Sequence, residues 1–212
     1  MEFQTTVNIL NTSIKNDLPG AEAHQLLSPL RAKEKSSYIP KTDARKAGVM
    51  VLIYPIQNKT HLVLTQRHPY PGVHGGQISF PGGKQDPEDK NLKETALREA
   101  YEEVGVSKNE IEILGPLSPI YIPPSNFHVQ PLLAYSHTRP TFIKEEAEVA
   151  SILDIPLSTL LKKETVQSLP VNIRGYNREV PCFKVEDHII WGATAIVLSE
   201  LIYMIRQHQT SL

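Results

Sequence analysis

Cysteine is almost absent from this sequence of 212 residues, since Cys182 is the only one. A single thiol excludes an internal disulfide framework and a Cys-rich zinc site, and its place between Pro181 and Phe183 predicts a small buried side chain. No run of about 18 apolar residues occurs, so no membrane-spanning helix is expected. The N-terminus has no basic stretch followed by an apolar one, which argues against a secretory signal and favours a cytoplasmic protein.

An excess of charge of either sign is also missing. The 22 Lys and Arg residues nearly cancel the 23 Asp and Glu residues, and the net charge is −1. A dedicated binder of nucleic acid or of an anionic membrane carries a basic excess, so neither partner is expected. Apolar residues still make up 40% of the chain, which is enough for a buried core and too much for a disordered chain. The composition therefore predicts a soluble enzyme or binding domain.

Residues 1–43 have the character of an extension that precedes the main domain, 44–212. Leu26, Leu27 and Leu30 have helical spacing and predict a short amphipathic helix between His24 and Lys35. The polar stretch that follows, 36–45, is typical of a connector. Such an extension either covers the sheet or forms a dimer contact, so a monomer and a homodimer both stay open.

From Ala47 onward, short apolar runs alternate with turns. Strands are predicted at 48–54, 61–67, 77–80, 111–114, 129–135, 148–155, 180–185 and 189–191. Proline and glycine predict loops at 68–76, 116–126 and 170–178. Apolar spacing predicts helices over 91–104 and 194–206.

The helix over 91–104 carries the pattern with the most chemical content. On a wheel of 100° per residue, one face gathers four apolar residues, Leu97, Ala100, Tyr101 and Val104. The opposite face gathers three carboxylates, Glu99, Glu102 and Glu103. This face is either a solvated acidic surface or a site for a divalent cation such as Mg²⁺, which prefers carboxylate oxygens. A Gly-Gly pair ahead of the helix favours the cation, because glycine lets the backbone approach an anion or offer a carbonyl to a metal.

The segment GGKQDPEDKNLKETALREAYEEVGV, residues 82–106, resembles the Nudix box, G-x5-E-x7-R-E-U-x-E-E-x-G-U with U apolar. The second half of the box, from Arg98 to Val106, matches in full, and Gly105 stands where a left-handed helix cap belongs. The first half departs from the pattern, because one extra residue lies in the loop and Lys90 falls at the expected Glu. We expect Asp89 or Asp86 to replace that Glu.

The stretch ahead of the box resembles the coenzyme A pyrophosphatase branch of this family, which typically reads L-L-T-x-R-S, a basic residue, then H-x-G-Q-hydrophobic-S-F-P-G-G. This chain has LTQR at 64–67 and HGGQISFPGG at 74–83, and the branch carries the same insertion in its box. Downstream, 148–157 and IWGAT at 190–194 are also similar, so the resemblance spans about 46–206. His68 stands where Ser is usual and Gly72 where a basic residue is usual, which leaves the substrate within the family open.

The resemblance implies an α+β fold, a mixed β-sheet sandwiched between α-helices. It implies hydrolysis, with Mg²⁺ or Mn²⁺, of a nucleoside diphosphate linked to another moiety. With coenzyme A, the products are 3′,5′-ADP and 4′-phosphopantetheine. The expected partner is thus a small-molecule nucleotide diphosphate.

The resemblance also assigns roles to individual residues. The metal ligands are expected to be Glu99, Glu102, Glu103 and the carbonyl oxygen of Gly82. Arg98 is expected to orient the carboxylates through charged hydrogen bonds. A fourth acidic group outside the helix is expected at Glu148, with Glu146 in reserve. Substrate contacts are expected from Arg67, His74, Gly83 and Lys84, whereas Trp191 is expected to pack in the core.

Three alternatives remain open from the sequence. A Nudix hydrolase of ADP-ribose or of nucleoside triphosphates would share the box and differ only in its loops. A Nudix-fold binding module without turnover is disfavoured by the intact glutamate trio. An acidic structural domain without a ligand is disfavoured by the Gly-Gly loop and by the matched spacing of the box.

Overall fold

The computed structural model describes residues 1–28, 39–69, 75–173 and 175–210. For residues 209 and 210 it describes the backbone alone. The helices are α1 (Phe3–Ser13), α2 (Ala21–His24), α3 (Leu92–Val104), α4 (Leu157–Leu160) and α5 (Gly192–Thr210). Short 3₁₀ turns cover Gln25–Leu27, Lys108–Glu110, Pro123–Ser125 and Lys163–Thr165. The strands are β1 (Arg45–Ile56), β2 (Lys59–Arg67), β3 (Ile78–Ser79), β4 (Gly82–Lys84), β5 (Glu112–Pro116), β6 (Ile120–Ile122), β7 (Phe127–Tyr135), β8 (Val149–Pro156), β9 (Val166–Ile173), β10 (Tyr176–Val185) and β11 (His188–Trp191).

The main sheet is mixed. Its central order is β3-β2-β1-β7-β5, with β4 also paired to β1, β6 to β7 and β8 to β2. Strands β1 and β7 run parallel, and the other pairs of this sheet are antiparallel. Strands β1 and β2 pair with each other only near their shared turn, and further along β4 pairs with β1 while β3 pairs with β2. The β3–β4 segment therefore enters the sheet between two diverging strands, which brings Gly82 and Gly83 beside α3.

Helices cover both faces of the sheet because successive side chains of a strand point to opposite sides. On one face, Met50, Leu52 and Tyr54 of β1 pack with three residues of α3, Ala96, Ala100 and Val104. On the other face, Val51 and Ile53 belong to a larger cluster that includes α1 and α5. The arrangement is the predicted sandwich of a mixed sheet between helices.

Helix α3 lies unusually close to β1 because Gly48 has no side chain. A Cβ atom at that position would come 2.4 Å from the carbonyl oxygen of Leu92 and 3.0 Å from the amide nitrogen of Ala96. Real Cβ atoms do not approach backbone so closely, so any larger residue would push the helix off the sheet. Gly48 thus sets the distance between the sheet and the helix that carries the acidic residues.

The N-terminal segment contains a helix, α1, that was not predicted. Its Phe3, Val7 and Leu10 are buried in the same cluster as α5, and backbone hydrogen bonds of 3.1 Å join Phe3 to Asn58 and Thr60 to Met1. The predicted helix over 24–35 begins instead at Ala21, and its 3₁₀ end reaches residue 27. Residues 29–38 lie outside the described part, and the domain boundary at residue 43 stays a prediction.

Two loop predictions were wrong. Residues 116–126 include strand β6, and residues 170–178 include the ends of β9 and β10, where Pro170 lies opposite Glu179. Strands β9, β10 and β11 form a second sheet in the order β11-β10-β9. Proline is tolerated at 170 because β9 is an edge strand of this sheet, where a missing N–H on the open side breaks no ladder. The other predicted strands and both helices are confirmed, with shifted ends; of the predicted loop 68–76, residues 70–74 lie outside the described part. Within the described residues no helix is long and apolar enough to cross a membrane.

Candidate active site

Helix α3 begins and ends with caps that its sequence encodes. The Asn91 side chain accepts a 3.0 Å hydrogen bond from the amide of Glu94, which satisfies one of the free N–H groups of the first turn. Gly105 has φ 75° and ψ 8°, the left-handed conformation that glycine adopts without strain. The acidic residues therefore sit on a helix with fixed ends.

The wheel predicted only part of the buried side of α3, since Ala100 and Val104 are buried and Leu97 is half-buried as expected. Tyr101 is 62% exposed, whereas Glu103 is only 3% exposed. The reason is that α3 packs against β4 as well as against β1, so the helix is covered on two sides. The glutamates do not share one solvated face: the side chain of Glu102 is 53% exposed and that of Glu99 only 14%.

Arg98 connects the acidic groups around it. Its Nη1 atom lies 2.8 Å from a carboxylate oxygen of Glu102 and 2.9 Å from one of Glu99. On its other side, Nε and Nη2 donate to the two oxygens of Asp89, and Nη2 also donates to the carbonyl of Lys84. A guanidinium is well suited to this because it offers five donors in one plane. Arg98 thus contacts both Glu99 and Glu102, and its role in orienting them stays a prediction.

Of the two aspartates expected to replace the first Glu of the box, Asp89 is the one that accepts hydrogen bonds from Arg98. Its side chain is 7% exposed and accepts hydrogen bonds from Thr95 and from the amide of Asp86. The hydrogen bond from Arg98 lowers the pKa of Asp89 to about 2. The Asp86 carboxylate is 3.8 Å from Arg98 and 58% exposed. Asp89 therefore ties the loop before α3 to the helix.

Glu103 is a buried carboxylate with few partners. Its Oε2 atom accepts a 3.3 Å hydrogen bond from the amide of Gly82, and its Oε1 atom is 3.7 Å from Arg67. Burial raises the pKa of Glu103 to about 7, although Arg67 and the Gly82 N–H oppose the shift; the charges of Glu99 and Glu148 raise it further. A buried carboxylate so weakly compensated has capacity for a further positive ligand.

Glu99 lies directly on the Gly-Gly segment. A Cβ atom on Gly83 would come 2.5 Å from its carboxylate, so a larger residue there would displace the Glu99 carboxylate from this position. Burial raises the pKa of Glu99, and Arg98 acts against this. The charges of Glu102 and Glu148 add to the rise, which places several negative groups within electrostatic reach of one another.

Arg67, at the end of β2, joins the helix to a loop from the other side of the site. One of its nitrogens lies 3.7 Å from Glu103 and another 3.7 Å from Glu148. The reserve candidate, Glu146, instead has its side chain 80% exposed and 2.9 Å from Lys144. The structure therefore brings Glu148, and not the Glu146 side chain, to Arg67 and Glu103.

The loop that carries Glu148 is held by backbone contacts that the sequence did not reveal. The amide of Ile143 donates to the carbonyl of Val104 at 3.0 Å, and the amide of Glu145 donates to that of Glu103 at 3.1 Å. The ring of His68 contacts the carbonyl oxygen of Glu146 at 3.1 Å. Backbone acceptors leave no signature in a sequence, so His68 was noticed only as a departure from a pattern.

The other residues predicted for the site differ in their burial and position. Gly82 is buried and Gly83 half-buried in β4, next to Glu103 and Glu99, and Lys84 is exposed at the end of that strand. His74 lies outside the described residues. Trp191 is half-buried, and not a core residue as predicted. It lines an open groove of about 320 Å³ together with Gln66, Ile78, Asn172 and His188.

Carboxylate and carbonyl oxygens are the donors that Mg²⁺ and Mn²⁺ accept, so the residues present are chemically suited to such an ion. Among the described residues, no three His, Cys, Asp or Glu side chains already converge as a closed metal site. The reason is visible in the contacts, because Glu102 and Glu99 turn towards Arg98 while Glu103 turns towards Gly82. The mutual repulsion of Glu99, Glu103 and Glu148 is the feature that a cation would relieve.

A family model described as a NUDIX domain matches residues 44–162, more than half of the chain. This chain belongs to the Nudix family. A curated relative from Yersinia pestis (strain Pestoides F), which carries the name "Uncharacterized Nudix hydrolase NudL", is 36% identical over 177 residues. That alignment covers 84% of this chain and 87% of the relative. The chain is accordingly a Nudix hydrolase, an enzyme class that cleaves nucleoside diphosphates linked to another moiety.

Solved structures show the same fold at low sequence identity. A Caenorhabditis elegans Ap4A hydrolase in a binary complex superposes with a TM-score of 0.52 at 17% identity, over 79% of this chain and 99% of that one. The NUDIX domain of Shewanella oneidensis NrtR, in complex with ADP ribose, gives 0.50 at 18% identity, over 85% and 99%. At such identities these likenesses show the fold alone.

Proposed function

We propose that this Nudix hydrolase cleaves the diphosphate of coenzyme A and its derivatives into 3′,5′-ADP and 4′-phosphopantetheine. The observation that carries the proposal is the position of Arg67. It ends the LTQR segment that resembles the coenzyme A pyrophosphatase pattern, and it lies 3.7 Å from both Glu103 and Glu148. The LTQR segment, which lies outside the Nudix box and resembles the coenzyme A branch, thus contacts helix α3 of the box through Arg67.

Arg67 and the residues around it could supply both charge compensation and water positioning for a diphosphate substrate. A diphosphate concentrates negative charge, so catalysis consists mostly of charge compensation and the positioning of water. Arg67 supplies a fixed positive charge at the edge of the site, and we expect further substrate contacts from Gly83 and Lys84 of β4. Glu148, with its side chain 57% exposed, is accessible to water and is our candidate for the general base.

We assign the metal ligands to Glu99, Glu102, Glu103 and the carbonyl oxygen of Gly82. When bound, Mg²⁺ or Mn²⁺ supplies charge neutralisation at the phosphates and lowers the pKa of a bound water. Arg98 holds Glu99 and Glu102 at 2.8–2.9 Å, which keeps both carboxylates oriented. Asp89 in turn fixes Arg98, so the loop before the helix supports the site without touching the substrate.

The decisive experiment is hydrolysis of coenzyme A by the full chain with Mg²⁺ and separately with Mn²⁺, with the products identified by mass. ADP-ribose, diadenosine polyphosphates and nucleoside triphosphates are offered under the same conditions. Release of 3′,5′-ADP at a higher kcat/KM than any competing cleavage supports the proposal. The Glu103→Gln variant shows whether the release depends on the helix α3 site.

The other outcomes each point to one alternative. If another diphosphate is cleaved and coenzyme A is not, the coenzyme A proposal is wrong, and His68 and Gly72 become the residues to examine for altered specificity. If no substrate is cleaved but Mg²⁺ or Mn²⁺ still raises the melting temperature, the protein is a binding module built on a Nudix fold.

A further inference from the structure

His68, the residue that follows strand β2, contacts the loop that carries Glu148. The Nε2 atom of His68 lies 3.1 Å from the carbonyl oxygen of Glu146. A carbonyl oxygen has no proton, so Nε2 must donate, and this fixes the protonated nitrogen of the ring. The contact spans 78 residues of sequence and ends two residues before Glu148.

The backbone around His68 is anchored as well. The carbonyl of His68 accepts a 3.1 Å hydrogen bond from the amide of Gly76, and the amide of Arg67 donates to the carbonyl of Gln77 at 3.0 Å. The base of the His68 side chain is therefore fixed by the segment that leads into β3. A fixed base allows the ring to hold the other end of the contact, the 145–148 loop.

Backbone contacts hold the two ends of this loop, since Val149 pairs with Arg67 at the start of β8 and its amide donates to the carbonyl of Glu145 at 2.9 Å. The Glu145 amide is tied to α3, and the Glu146 side chain points away to Lys144. The Glu148 carboxylate is itself half-exposed and reaches Arg67 only at 3.7 Å, and an exposed ion pair at that distance is weak. Such a weak pair does not hold a loop in place by itself.

We propose that His68 is a positioning residue that fixes the 145–148 loop through Glu146 and so holds Glu148 beside Arg67 and Glu103. The role belongs to this chain's own histidine, at a position where the resembling pattern has serine. The hydroxyl oxygen of serine lies only two bonds from Cα and cannot span the distance that the imidazole ring covers. The inference rests on the proposed function for the role of Glu148.

The test compares His68→Ser with His68→Gln, whose side-chain amide can place a donor near the position of Nε2. We expect His68→Ser to lower kcat about 10-fold with KM changed less than about two-fold, since misplacement of a reacting group acts on the barrier. His68→Gln should restore most of the rate. The matched control is His61→Ser on β2, whose ring contacts the carbonyl of Lys59 at 3.0 Å and which should retain the wild-type rate.

A double-mutant cycle separates positioning from general damage. In the Glu148→Gln background, His68→Ser should lower kcat by less than about two-fold, because two residues that act through one group are not additive. An undiminished 10-fold loss in that background, or no rescue by His68→Gln, overturns the proposal. The assay uses whichever diphosphate the wild-type protein cleaves, so failure with coenzyme A refutes the proposed substrate without touching this inference.

A second measurement needs no turnover. Amide hydrogen exchange of the metal-free protein should be faster in the 143–150 segment of His68→Ser than in the wild type, and near wild type in His68→Gln. Equal exchange in all three proteins means that His68 does not hold the loop, and the proposal falls even if the protein has no activity.

Discussion

Two glutamates of this chain are equally buried and lie in opposite electrostatic surroundings. Glu103 is 3% exposed and Glu200, in α5, is 0% exposed. Burial raises the pKa of Glu103 to about 7. Burial would raise the pKa of Glu200 as well, but hydrogen bonds from His24 and Ser118 outweigh it and leave that pKa below its ordinary value of 4.5.

The difference lies in the donors that each carboxylate receives. Glu200 accepts from the hydroxyl of Ser118 at 2.6 Å and from its amide at 3.2 Å, and His24 lies 3.1 Å away. Glu103 has one amide at 3.3 Å and a guanidinium at 3.7 Å. A buried carboxylate whose oxygens have all their hydrogen-bond donors stabilises the fold, whereas one that lacks donors can bind a further ligand. The comparison therefore distinguishes a structural carboxylate, Glu200 in α5, from a carboxylate of the candidate active site, Glu103 in α3.

The largest expected effect follows from Glu103→Gln. The substitution keeps the shape and removes the charge, so we expect kcat to fall about 1,000-fold, the scale seen when a charge-stabilising group is lost. The melting temperature of the metal-free protein should stay equal or rise, because a poorly compensated buried charge is gone. Steady-state kinetics and calorimetry measure both. A lower melting temperature with unchanged kcat would assign Glu103 to structure, and exposed Glu88→Gln is the control.

The next effect in size is the loss of stability in Glu200→Ala. Removing this acceptor strands the Ser118 and His24 donors in the interior, which should cost about 3 kcal/mol of unfolding free energy. The kcat of the molecules that remain folded should not change, since α5 lies on the far face of the sheet from α3. Denaturant unfolding and active-site titration check this. Retained stability together with a lower kcat would contradict the structural role of Glu200.

A smaller effect tests the support of Arg98. Asp89→Asn removes the charged partner of the guanidinium, so the orientation of Glu99 and Glu102 should loosen and kcat should fall about 10-fold. Asp86→Asn, at 3.8 Å and exposed, is the matched control and should change kcat far less. Equal losses in the two variants would show that Asp89 has no special place, and a loss confined to Asp86→Asn would exchange their roles.

The smallest effect is a pH dependence of stability due to Glu200. Its pKa is lower in the folded protein than in the unfolded chain, so its stabilisation is full above pH 4.5 and is lost as the pH falls through the folded pKa. The difference in unfolding free energy between the wild type and Glu200→Gln should therefore be constant near neutral pH and shrink below pH 4.5. A difference that grows on acidification would mean that the carboxyl is protonated in the folded state.

The sequence predicted the elements whose signal is local. The Gly-Gly pair, the glutamate spacing and Gly105 lie within one helix and its flanking loops, so the helix and the position of its glutamates could be predicted directly. Helix α1 also had helical spacing, in Phe3, Val7 and Leu10. It was missed because its polar, β-branched residues have weak helix propensity and it forms by packing on the rest of the core.

The sequence by itself determined which acidic and basic residues this chain brings to its reactive helix, because spacing along a helix fixes neighbours. Only the tertiary structure decided which of them are buried. Strand β4 covers Glu103 and leaves Tyr101 exposed, and a backbone carbonyl of the 145–148 loop meets His68. Such contacts join segments far apart in the chain through backbone atoms that every residue has, so no pattern of side chains reveals them.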